Sequence, residues 1–143
     1  MKLVDSNVWL AVAISSHEHH ALASAWLRQQ SVKDVAFCRN TQLSFLRLIT
    51  TRAVLNVYGI PPLTNKQAME LYAALIGSPQ ITFAGEPDEL EIHWRGLISV
   101  DTSSPKLWMD AYLAAFAIAG GHQLVTIDSG FAQFESLDLL LLR

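Results

Sequence analysis

Five short apolar runs, at residues 2–4, 35–38, 81–83, 123–127 and 139–142, are separated by longer stretches in which apolar residues recur at helical spacing. Parallel strands must be joined by crossovers of about a dozen residues or more, usually helical. Most of the intervals between these runs are long enough for such crossovers, so the alternation predicts an α/β sandwich with a mainly parallel central sheet. The chain of 143 residues has room for one core, and one domain spanning 1–143 is expected.

Local signals place the helices. Asp5 or Ser6 is suited to cap a helix over 8–14 with Trp9, Leu10 and Val12 among its apolar members. A second helix is expected over 17–30, a third starting from Asn40 or Thr41, and a fourth capped by Thr64 and stopped by Gly77-Ser78-Pro79. Gly59-Ile60-Pro61-Pro62 reads as the loop between the third and fourth. Pro87 fits the first turn of a helix running to about Ser99. A last helix, dense in Ala and Leu, should run over 106–119 and end at Gly120-Gly121.

Hydrophobic residues make up 51% of the chain and charged residues 16%, which excludes the polar composition of disordered segments. No apolar stretch reaches the roughly 18 to 20 residues that a membrane-spanning helix needs. The opening Met-Lys-Leu-Val-Asp meets a carboxylate at once and lacks the apolar centre of a secretory signal, so a cytoplasmic location is expected. A single cysteine, Cys38, permits no internal disulfide, and its apolar neighbours make it a small buried hydrophobe. The formal net charge of −3 excludes a broadly basic nucleic-acid binder. Phosphate attraction would have to come from a local patch or from bound cations.

Three carboxylates stand where such a fold converges. Asp5 ends the first apolar run, Asp128 follows the fourth, and Asp110 lies early in the helix that leads into the fourth. Ligands of open α/β sheets sit beyond the carboxyl ends of the strands. Taken singly, each acid has an ordinary role: Asp5 as a helix cap, Asp110 at the positive end of a helix dipole, Asp128 as a turn former. Taken together they repel, by roughly 4 kcal/mol per pair at about 4 Å and an effective dielectric near 20. A divalent cation is the simplest compensation, and an all-oxygen set favours Mg²⁺ or Mn²⁺.

Other chemistries lack their motifs. There is no Gly-x-Ser-x-Gly elbow, no glycine-rich phosphate loop, and no further ligand at zinc spacing for His17-Glu18-His19-His20. The four tryptophans, Trp9, Trp26, Trp94 and Trp108, read as core or interface.

Residues 3–9, Leu-Val-Asp-Ser-Asn-Val-Trp, resemble the opening Asp-[Thr/Ser]-Asn motif of PIN-domain ribonucleases, particularly the VapC-type toxins of bacterial toxin-antitoxin pairs. The run from Asp110 to Ala117, followed by Thr126-Ile127-Asp128-Ser129-Gly130-Phe131, is similar to the helix and Thr-x-Asp-x-x-Phe segments of that family. Residues 41–47 resemble the central helix of one VapC subgroup. The resemblance spans nearly the whole chain and implies a PIN-like three-layer α/β/α sandwich. It also implies a metal-dependent endoribonuclease acting on structured RNA such as tRNA, through Mg²⁺ (or Mn²⁺) and an activated water. Asp5, Asp110 and Asp128 would then be catalytic and metal-holding. Asn7 and Thr126 would orient them, and Arg47 would meet phosphate. A cognate VapB-type antitoxin and a homodimer are the implied partners. Ser44 stands where many members of the family carry a glutamate, so the number of metal ions, one or two, is left open.

Two alternatives follow from the same acids. A receiver-like phosphoacceptor domain also gathers carboxylates around Mg²⁺, but it expects paired acids after the first strand and a lysine ending the last. A PIN-like protein that binds without cleaving would account for Ser44.

Overall fold

Alternation along each strand sorts its side chains into two layers. A computed structural model describes residues 1–143. In it Leu3, Ala36 and Leu124 face one cluster of buried residues, whereas Val4, Val35, Phe37 and Val125 face another. This two-residue period makes these three strands apolar on both sides, as buried parallel strands are.

The elements run β1 (Lys2–Val4), α1 (Ser6–Ala13), α2 (His20–Arg28), β2 (Val35–Phe37), α3 (Arg39–Ile49), α4 (Arg52–Asn56), α5 (Asn65–Ile76), β3 (Ile81–Phe83), α6 (Leu90–Ile98), α7 (Leu107–Gly120), β4 (Gln123–Thr126) and β5 (Leu139–Leu141), with a 3₁₀ turn at Ser129–Gln133. The five strands form one sheet in the order β3-β2-β1-β4-β5. Every pairing is parallel, so the mainly parallel sheet of the sequence reading is wholly so.

Helices α1 to α5 cover one face. There Trp9 lies flat on Phe37 with ring centroids 3.9 Å apart, and Phe45 and Tyr72 close around Phe37 at tilted and edge-on angles. The pair is fully buried and anchors α1 to β2. Helices α6 and α7 and the 3₁₀ turn cover the other face. Ala111, Ala114, Ala115 and Ala117 of α7 are buried, and their small side chains let the helix lie close to β1 and β4. The result is an α/β/α sandwich of three layers.

Several boundaries differ from the sequence reading, for local reasons. Helix α2 starts at His20, not His17, because His17 Nδ1 accepts the backbone N–H of His19 at 3.0 Å and holds residues 17–19 in a turn. Helix α3 starts at Arg39, before the expected caps Asn40 and Thr41: Thr41 Oγ1 instead reaches back to accept the N–H of Cys38 at 3.0 Å. The Thr50 and Thr51 hydroxyls donate to the carbonyls of Leu46 and Arg47, closing α3 and making way for α4, a short helix that the periodicity does not predict. Helix α6 begins at Leu90, three residues beyond Pro87, which sits in the preceding turn. Thr64 caps α5 as expected, with Gln67 completing a reciprocal box. Gly121, at φ 65°, ends α7 in the left-handed conformation.

The strand order removes one alternative. Doubly wound phosphoacceptor domains follow the order 2-1-3-4-5, with β3 beside β1. Here β4 takes that place and β3 is at the edge.

Candidate active site

Asp5 and Asp128 emerge from neighbouring strands. β1 pairs with β4 in the register Val4 to Val125, and Asp5 N–H continues the ladder to the Val125 carbonyl at 2.9 Å. Both acids therefore lie just past the carboxyl ends of central strands. Helix α7 brings Asp110 to the same rim from its first turn.

Thr126, the last residue of β4, organises this rim. Its fully buried hydroxyl donates to Asp5 Oδ2 at 2.8 Å and accepts from Asn7 Nδ2 at 3.2 Å and from the backbone N–H of Asp128 at 3.0 Å. Asn7 also uses its Oδ1 to accept the Ile127 N–H at 3.3 Å. The other Asp5 oxygen, Oδ1, accepts the Ser6 N–H at 2.7 Å, which caps α1. Asp128 Oδ1 accepts the Gly130 N–H at 2.8 Å and starts the 3₁₀ turn. The ordinary capping and turn roles of Asp5 and Asp128 are thus present, and each leaves one carboxylate oxygen outside its cap.

The acids sense one another. Burial pushes the Asp5 carboxyl above its ordinary value, the charges of Asp110 and Asp128 push it further, and the Thr126 and Ser6 hydrogen bonds oppose the rise. Asp110 is also raised, by burial first and then by Asp128, with Lys106 acting against it. None of the three carboxylates is in an ion pair. They do not close into a cage: no three Asp, Glu, His or Cys side chains meet tightly enough to enclose an ion. That also holds for the histidines near residue 20.

The remaining candidates lie beside this rim. Ser44 and Arg47 line a groove with Ser6, Leu48, Thr51 and Val54, of about 340 Å³. The groove opens next to Asp5 through Ser6, but neither Ser44 nor Arg47 hydrogen-bonds a carboxylate. Two further residues touch the site without a functional role expected from the sequence, where Ser6 is read only as a possible helix cap. Ser6 reaches Asp5 through its backbone, and its position directly after the acid was the available signal. Lys106 is a cation that Asp110 senses from the preceding turn, and nothing in its own sequence context marks it.

The model of the PIN domain matches residues 2–137. Ribonuclease VapC41 of Mycobacterium tuberculosis is 51% identical over 144 residues, covering 99% of each chain. Among solved structures, VapBC2 from Rickettsia felis, bound to a DNA fragment from its promoter, superposes with a TM-score of 0.66 at 11% identity, covering 99% of this chain and 98% of that one. Mycobacterium tuberculosis VapC20, a Sarcin-Ricin loop cleaving toxin, superposes with a TM-score of 0.65 at 17% identity, covering 96% and 98%.

Proposed function

The chain belongs to the PIN-domain family, and from that premise we propose that it is a metal-dependent endoribonuclease, the toxin component of a VapBC-type toxin-antitoxin pair, with Asp5, Asp110 and Asp128 as its catalytic and metal-holding residues. The observation that carries the site assignment is the Thr126 hydroxyl, which couples the Asp5 carboxylate to the Asp128 backbone across β1 and β4. Asp5 and Asp110, held above their ordinary values by burial and then by neighbouring carboxylates, form no ion pair, and such a group invites a cation. An open set of oxygen ligands suits Mg²⁺ or Mn²⁺, since Mg²⁺ keeps several waters when only a few carboxylates hold it.

A divalent cation bound by these acids supplies a water of lowered pKa and Lewis-acid stabilisation of charge on the phosphate. The protein's own part is to orient and to attract. Thr126 and the Ser6 N–H fix both oxygens of Asp5, so little rearrangement is required of that side chain. Asn7 ties the segment after β4 to α1 and so holds Asp128 in place. Lys106 and Arg47 bring positive charge to two sides of an otherwise acidic rim, where a phosphate backbone would need it. Ser44, next to Ser6, offers a hydroxyl rather than a carboxylate, which favours one ion over two.

A VapB-type antitoxin, a homodimer, a structured RNA substrate such as tRNA and a cytoplasmic location complete the proposal. No helix is long and apolar enough to cross a membrane. The test is cleavage of labelled tRNA and total RNA by the purified chain with Mg²⁺, with Mn²⁺ and with chelator. Metal-dependent cleavage, reduced about a hundredfold or more in Asp110→Asn, is expected. Cleavage that survives both the chelator and the substitution overturns the assignment. Metal-dependent RNA binding without cleavage selects the second reading, a PIN-like binding protein, which Ser44 favours.

A further inference from the structure

Arg39 is a cation held in one orientation with no acidic partner. Its guanidinium lies 5.0 Å over the Phe83 ring, and its Nη1 donates to Gln42 Oε1 at 2.6 Å. No carboxylate pairs with it. Glu86, the nearest acid along the chain from Phe83, accepts the Tyr112 hydroxyl at 2.8 Å instead. A planar guanidinium set over an aromatic face and left without a counter-charge is a surface on which a base can stack while a phosphate is met.

Its place in the sheet gives it a role. Phe83 ends β3, level with Phe37 of β2, and is 39% exposed, following a buried Ile81 and a half-buried Thr82. Arg39 stands just past the end of β2, the strand beside β1 and Asp5. With strands about 4.8 Å apart, Phe83 lies two strand spacings, roughly 10 Å, along the rim from Asp5. That distance corresponds to about three stacked nucleotides at roughly 3.4 Å each.

We propose that Arg39 and Phe83 form a stacking platform for an unpaired base of the RNA strand, a few nucleotides from the phosphate at Asp5. This rests on the nuclease reading for the identity of the strand. Arg39 and Phe83 are positioning residues that act on binding rather than on the cleavage step.

The experiment measures binding of a fluorescein-labelled single-stranded RNA to the full chain carrying Asp110→Asn, without divalent metal and over a range of salt. Added Arg39→Gln should weaken binding about tenfold and reduce the salt slope by about one ion. Arg39→Lys should restore the slope but not the affinity, since it keeps the charge and loses the plane. Phe83→Leu should weaken binding and leave the slope unchanged. In the active chain, Arg39→Gln should raise KM and leave kcat unchanged, with thermal unfolding unmoved. RNA affinities equal to the parent, or a parent that binds no RNA, overturn the platform. If the wild-type chain cleaves RNA while Arg39→Gln binds and cleaves like it, the platform falls and the nuclease stands. If RNA binding depends on Arg39 and nothing is cleaved, the nuclease falls and the platform stands. A loss confined to self-association or to capture of an antitoxin assigns the surface to a protein partner and overturns the proposal.

Discussion

The Thr126 hydroxyl donates to Asp5 Oδ2 at 2.8 Å, joining two residues 121 positions apart in the chain. Its two acceptor sites are filled by Asn7 and by the Asp128 backbone, so its full hydrogen-bonding capacity is used inside the protein. Any change at Thr126 therefore reaches Asp5 and Asp128 together.

Thr126→Val keeps the shape and removes the hydroxyl. The Asn7 amide and the Asp128 N–H lose an acceptor and Asp5 loses a donor, which should lower stability by about 1–3 kcal/mol. RNA cleavage should fall about 10- to 100-fold, as it does when the groups that orient metal ligands are removed. Thr126→Ser should retain most of both. Urea denaturation and initial cleavage rates separate the two variants, and a Val variant as active as the parent would remove Thr126 from the site.

Asp110→Asn takes one charge from a group of like charges that has no cationic partner in an ion pair. In metal-free buffer at neutral pH the variant should melt at a higher temperature than the parent. Added Mg²⁺ or Mn²⁺ should raise the parent's midpoint with concentration, as ligand linkage requires, and move the variant's far less. Thermal scans over a metal titration test this, and equal shifts in both proteins would place the ion elsewhere.

His122 gives the protein a pH-dependent stability unrelated to catalysis. Its ring stacks on Phe116 with centroids 6.1 Å apart, its Nδ1 is buried without a partner, and burial holds its pKa below the ordinary 6.5. The folded state thus binds the proton less readily than the unfolded one. Stability should be fully present above pH 6.5 and decline as the pH falls from there through the lowered folded value. His122→Phe should flatten denaturant midpoints across that window, and an unchanged slope would assign it to other groups.

Gly120 is a glycine of close approach. A Cβ there would come within 2.4 Å of His122 Nε2 and 2.6 Å of its Cδ2. Gly120→Ala gains about 1 kcal/mol in helix propensity but should destabilise the chain, because the displaced ring is packed against Phe116. Adding His122→Ala should recover the loss. A double-mutant cycle on unfolding free energies reads the coupling directly, and additive effects would show that the ring moves aside freely.

The fold was legible because burial on both faces writes itself into short strands. Residues 2–4, 35–38, 81–83, 123–127 and 139–142 are short and mostly apolar, which suits strands once helices separate them, and each contains one strand of the sheet, three central and two at its edges. The boundaries that shifted were those set by side-chain hydrogen bonds that periodicity does not record, at His17, Thr41 and Thr50-Thr51. Asp5 and Asp128 could be placed at a rim from sequence, since a strand's end fixes where the next residue emerges.

Other relationships depended on neighbours that are remote in the chain. Local sequence determined that helices and parallel strands alternate and that three acids follow or precede them; hydrophobic period and chain connectivity suffice for that. Only the tertiary structure decided that β4 lies beside β1, that Thr126 is the group joining Asp5 to Asp128, and that Arg39 rests on Phe83 without a counter-charge. Strand order and side-chain contact arise from packing the whole core at once, and no local preference of a residue encodes which distant residue it will touch.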